Sequence, residues 1–407
     1  MQMNKSPATP EIAHRSAAAG LALLERPVAR PFFGLIDTVI LPDGDAGFAG
    51  AIPLGIAEAC WIWMVRDLGG DLIDPAISGV EPGAVDALDA LMPELLARAH
   101  EALDAATPES EAERRLRVQL GSDAAFSQLR LVLGALKSRH LLVRARAFGK
   151  GLDAIADEAG LQAALARVPR EDTPMTALLW TAAIGAVEHP GRIVATISRM
   201  TGSTTELGFE REGFAPLIEA LMAHAQAQLP KIAPPGHVDI EATRRALERF
   251  HRLVRALRTP LELLRVGRRA ALLARMVARV SERIEPRLRR VQPDMTAALR
   301  IGRDGRLDER QLFDALNGVA LLATVRECRD SLALNVLLEQ CWTQAGQSLE
   351  LHVDRLLEGL RRAPDDDAIS TRLEFGIRMA EFRLGPDYAG VIRRAMSAAL
   401  RRLGPAA

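Results

Sequence analysis

Apolar residues recur at three- and four-residue spacing along most of this chain, and no convincing series of alternating β-branched segments between turn signals interrupts them. A 3.6-residue period places such residues on one face of a helix, whereas a half-buried strand needs a period of two. The pattern predicts an all-α fold, a multi-helical array of about 13–15 helices. The expected spans are 10–27, 47–68, 82–105, 109–149, 151–167, 174–188, 190–200, 211–229, 239–258, 260–285, 288–300, 307–329, 331–361, 367–384 and 387–403. The irregular segment near 30–46 is rich enough in Val, Ile and Phe to hold one short strand.

Several helix starts carry a stereochemical signal. Thr9-Pro10, Thr107-Pro108, Thr173-Pro174 and Thr259-Pro260 each set a capping hydroxyl before a proline whose missing N–H costs nothing in the first turn. In TPLE, Glu262 can also reach back to the Thr259 amide, as in a capping box, so a helix is expected to begin at Pro260. LPKIAPPGHVD, with three prolines and a glycine between two periodic regions, marks the main boundary. The expected organisation is an N-terminal helical domain over 1–230, a Pro/Gly linker over 231–238, and a C-terminal helical domain over 239–407 with basic helices at 239–306.

Basic and acidic residues number 52 each, so the whole chain has no net field with which to gather nucleic acid or an anionic membrane. The only lysines are Lys5, Lys137, Lys150 and Lys231, and the other basic residues are arginines. With the abundant alanine this is the composition of a GC-rich, bacterial-type genome, and it weakens the usual inference from arginine to phosphate binding. Cys60, Cys328 and Cys341 form no C-x-x-C, so neither a disulfide framework nor a zinc site is expected and a cytoplasmic setting fits. The first thirty residues lack the apolar run of a secretory signal. GFAGAIPLGIAEACWIWMV, residues 47–65, approaches the length of a spanning helix, but Pro53 and Glu58 interrupt it. A buried helix packing Trp61, Trp63 and Met64 is expected there, with membrane contact as the alternative.

The segment TPLELLRVGRRAALLARMVARVSERIEP, 259–286, gathers charge in one place. Leu263, Val266, Ala270, Leu273, Val277, Val280 and Ile284 alternate three and four apart, which is a helix–helix seam. Arg265, Arg268, Arg269, Arg275, Arg279 and Arg283 fall in one stripe away from that seam. Residues 239–306 carry 18 Arg against 8 acidic residues, so charge is segregated although the total is zero. Either the stripe packs against acidic stretches of the same chain, such as PDDDA at 364–368 or TPESEAE at 107–113, or it meets an acidic partner. Leu272 and Met276 project within the stripe. If exposed, they give it the apolar centre and charged rim of a protein interface. Nucleic acid is disfavoured, because no aromatic residue for base stacking lies among the arginines.

Motifs that carry chemistry are incomplete. IGRDGRLDERQLFDAL resembles the second half of an EF-hand loop, but Arg300, Gly302 and Gln311 occupy ligand positions that need oxygen donors of the right kind. Asp365, Asp366 and Asp367 resemble the aspartate cluster of terpenoid synthases, yet they follow a proline at a helix start, where capping explains them. ERFH, Glu248 to His251, is a single Glu-x-x-His, half of what a di-iron bundle requires. LKSRHLLVRARAF is similar to the proximal-histidine helix of indoleamine dioxygenase-type haem proteins, which implies His140 as an axial ligand. In that family the ligand helix lies near the end of the chain, whereas here about 260 residues follow it.

The expectation is a helical scaffold or regulatory protein that binds an acidic protein through Arg265, Arg268, Arg269, Leu272, Arg275, Met276 and Arg279. No metal or cofactor is expected, and homo-oligomerisation is left open. The alternative is an all-α enzyme, with haem held by His140, whose site is assembled from distant helices.

Overall fold

A computed structural model describes residues 31–44, 46–73, 84–171, 173–232, 239–258, 267–301 and 307–401. The expected helix at 10–27, the capping box at 259–262 and residues 302–306 of the EF-hand-like stretch lie outside them. Seventeen α-helices account for most of the described residues, and the fold is all-α. In chain order they are α1 (Pro31–Ile36), α2 (Leu54–Trp63), α3 (Ala84–Ala105), α4 (Glu111–Leu120), α5 (Asp123–Lys137), α6 (Arg139–Ala154), α7 (Glu158–Ala166), α8 (Pro174–Ala186) and α9 (Pro190–Thr201). There follow α10 (Glu206–Arg211), α11 (Ala215–Gln226), α12 (Ile240–Arg258), α13 (Arg268–Leu299), α14 (Glu309–Glu327), α15 (Asn335–Arg362), α16 (Asp367–Leu384) and α17 (Pro386–Arg401). Two-residue strands β1 (Ile40–Leu41) and β2 (Ile52–Pro53) pair in parallel, with Ile40 opposite Ile52. β1 falls in the irregular stretch near 30–46.

The helix boundaries depart from the periodicity for identifiable reasons. The span 109–149 divides into three helices. Gly121, at φ 68°, turns the chain out of α4 while its amide still bonds the Arg117 and Val118 carbonyls, and Ser138 ends α5. The span 211–229 begins late because Gly213, at φ +79°, sits where a Cβ would meet the Arg170 carbonyl oxygen at 2.1 Å. The helix expected at 47–68 starts only at Leu54, since the residues before it form turn and β2. Beyond Trp63 it widens into one π-helical turn, Met64–Leu68. Conversely, from Arg268 onward the expected 260–285 and 288–300 helices are one helix, α13, which runs through Pro286 and Pro293.

The chain forms two compact units, 1–227 with 256–264, and 228–255 with 265–407. In the first, Trp61, Trp63 and Met64 are buried with Phe32, Leu88, Met92 and Leu129, and Trp61 stacks on Phe32 at 4.7 Å. The apolar 47–65 stretch thus fills a core. No helix among the described residues is long and apolar enough to cross a membrane. α8 is apolar on every side because α6 packs along it and α11 packs along it too. In the second unit, α13 packs against α14 and α15, and α16 against α14, α15 and α17. Arg244 ties α12 to α14 through a 2.8 Å bond to Thr324 Oγ1. All three cysteines are free and buried.

Candidate functional site

Helix α13 begins at Arg268 after Gly267 at φ 115°, and Arg265 lies outside the described residues. Arg268, Arg275 and Arg279 are exposed and Arg269 is half-buried. Leu272 and Met276 correct the expected surface: they are 7% and 2% exposed, inside the second unit. The helical wheel assigned α13 one neighbour, but α14 and α15 both pack along it. Its buried face therefore widens by one position beyond Leu273 and Val277 to take in the residues just before them. The residues exposed between the arginines are Ala271, Ala274 and Ala278, so this face has charge without an apolar anchor. Two of the acids in the expected internal partners are engaged locally. Asp366 caps α16 through the Ile369 amide at 3.0 Å, and Glu113 pairs with Arg117 on its own helix at 2.8 Å. Arg283 donates to the Leu229 carbonyl, and Arg289 pairs with Glu285.

His140 stands in the first turn of α6 with its side chain 71% exposed, its Nε2 3.6 Å from Asp89 Oδ2. Arg139 hydrogen-bonds the same carboxylate and holds it below the usual aspartate range. A haem-bearing histidine is normally set in a pocket whose polarity and access the protein controls, and His140 lies instead at the surface. His251, from Glu-x-x-His, meets Ser331 Oγ at 2.9 Å. Among the described residues no three His, Cys, Asp or Glu gather as a metal site.

An apolar concavity lies elsewhere in the first unit, between α6, the end of α7 and α8. It is a groove of about 450 Å³. Leu141, Arg144, Ala145 and Phe148 line it from α6 at the three-and-four spacing of one helix face. Ala164, Arg167, Val168 and Pro169 line it from the end of α7, and Leu179, Trp180 and Ala183 from α8. A close helix approach builds it: a Cβ on Gly149 would lie 2.1 Å from the Ala183 carbonyl oxygen, so only glycine lets α6 come this near α8. Trp180 is buried and packs edge-on to Phe214 at 6.4 Å, which Arg170 covers from 5.2 Å. Leu141 and Phe148 remain exposed on the groove's walls. A larger cleft, about 530 Å³, lies on α16 and α17, but Glu374, Arg378, Arg393 and Ser397 share its lining with Ile377, Met396 and Leu400, so it is as polar as it is apolar.

The charges around the apolar groove are distinctive. Arg139 is paired with Asp89, Arg146 with Asp37 at 3.1 Å, and Arg170 with Glu212 at 4.0 Å. Arg144 and Arg167, the two that line the groove, have no acidic partner among the described residues. Sequence reasoning missed this site. Its signal was the apolar set Leu141, Ala145 and Phe148 with Arg144 between them, but that set gains a partner surface only once the chain breaks at Ser138 and again before α7. Compared with family models, curated proteins and solved structures, the chain matches none.

Proposed function

We propose that this protein acts by binding, and that its site is the groove between α6, α7 and α8, which holds the apolar body of a ligand. The observation that carries the reading is the convergence of exposed Leu141 and Phe148 on buried Trp180 in one concavity. A volume of about 450 Å³ suits a small ligand, since such sites run to roughly 300–1,000 Å³ and are mostly apolar with a few placed polar groups. The test uses N-phenyl-1-naphthylamine, a neutral apolar dye whose emission rises on leaving water. One saturable site is expected in the native protein. Ala145→Trp, which fills the groove from its half-buried rim, is expected to abolish it without lowering the melting temperature. Absence of dye uptake, or uptake indifferent to Ala145→Trp, would overturn the reading.

A second reading, docking of an acidic protein on α13, is favoured by Arg268 and Arg275, which are exposed and carry no acidic partner among the described residues. Without an apolar centre such a contact is electrostatic, strongest at low salt and weak in physiological salt. Charge reversal at Arg268 and Arg275 is expected to abolish any salt-sensitive association; association that survives it lies elsewhere.

A further inference from the structure

We propose that the ligand of the groove is an anionic amphiphile, a small monocarboxylate with a hydrocarbon or aromatic body, whose head is held by Arg144 and Arg167. This rests on the groove being a binding site and adds the chemistry of its occupant.

Three observations point the same way. The lining is apolar apart from two guanidinium groups. A neutral ligand would leave those charges unused, and a cationic one would meet two like charges beside low-dielectric walls. The second observation is selective pairing. Arg139, Arg146 and Arg170, close in sequence on the same segments, each have a carboxylate, whereas Arg144 and Arg167 have none among the described residues. The two positive charges at the groove are therefore uncompensated among the described residues, as is that of Lys150 near the end of α6, which does not line the groove. A guanidinium offers a planar fork of donors that matches a carboxylate two bonds at a time.

The third observation is extent. The face of α6 from Leu141 to Phe148 runs about 10 Å along the helix axis, long enough for a medium-length acyl chain. Apolar burial then supplies the affinity and the arginines select the head group. This division also suits their exposure: both arginines reach solvent, so an anion entering from water exchanges hydration for charge-assisted hydrogen bonds at the rim without being fully desolvated.

The test is calorimetric titration of the full chain with octanoate, 1-octanol and octylammonium, in wild type, in Ala145→Trp, and in the double variant Arg144→Gln, Arg167→Gln, which keeps most of each side chain's apolar stem. Octanoate is expected to bind tightest and octylammonium weakest. The double variant is expected to weaken octanoate about fivefold to tenfold, the scale of lost charge-assisted bonds at an exposed rim, and to leave octanol unchanged. Octanol binding as tightly as octanoate in wild type, with both lost in Ala145→Trp, would overturn the anionic head while leaving the groove a binding site. No binding of any of the three, together with no dye uptake, would overturn both. Uptake of phosphatidylglycerol vesicles, or of a peptide spanning residues 9–27, without uptake of octanoate would also overturn the proposal.

Discussion

Gly149 decides whether the groove exists. It lies in mid-helix, where glycine costs conformational entropy relative to alanine, and what offsets that cost is the approach of α6 to the Ala183 carbonyl. Backbone atoms cannot step aside as a side chain can. Gly149→Ala is therefore expected to force the helices apart and destabilise the protein by about 1–3 kcal/mol, the usual cost of overpacking. It should also weaken dye binding, because Phe148 and Ala183 on the two walls move with their helices. Urea denaturation followed by dye titration checks both effects, and a Gly149→Ala protein as stable as wild type would contradict the close packing. Leu272 and Met276 make the complementary point. Their burial was not legible because a wheel drawn for one seam cannot say how many neighbours a helix has.

At the scale of elements, α13 shows proline failing as a stop signal. Pro286 and Pro293 are seven residues apart and both exposed, so they fall on the same wet side of the helix. The carbonyls they leave without an N–H, those of Glu282 and Arg289, belong to exposed residues that water can reach. Replacing both prolines with alanine restores two hydrogen bonds on a face that packs against nothing. After the greater freedom of the unfolded chain is allowed for, the double variant should be more stable by about 1–2 kcal/mol, measured by thermal and urea unfolding. A loss of stability would mean that these prolines have a role in packing. Helix existence was legible almost throughout, because Leu, Val and Ala at helical spacing leave few other ways to bury themselves. The breaks at Ser138 and Gly121 were not, since both lie inside a continuous apolar period. The continuation through Pro286 was not legible either, since it depends on which side of the helix is wet. The candidate site inherits those limits: Arg268, Arg275 and Arg279 could be placed on one stripe with its exposure left open, but a groove lined by α6, the end of α7 and α8, which fall in three separate expected spans, could not be read.

At the scale of the molecule, the two units carry different titrating groups. His251 and His352, both in the second unit, are pushed below the ordinary 6.5, first by burial and then by neighbouring arginines. The folded state therefore keeps these imidazoles neutral where the unfolded chain begins to take up protons. Their contribution is full above pH 6.5 and is lost as pH falls from there through the folded values. In the first unit, Asp89 is held low by its bond to Arg139, and Glu158 by Thr196 and then Arg199. Their contribution persists until pH drops below the ordinary carboxylate values of 3.8 and 4.5. Hydrogen exchange, corrected for intrinsic rates, is expected to accelerate in α15 and the 240–255 part of α12 between pH 7 and 5, before α3 to α8 loosen. Earlier loosening of the first unit would contradict this. The central claim, that the groove between α6, α7 and α8 is where this protein binds, is tested most directly by hydrogen exchange with and without saturating octanoate. The account predicts added protection confined to peptides covering 139–154, 158–169 and 174–186. Protection centred on α13 or on α16 and α17, with none in those three peptides, would contradict it.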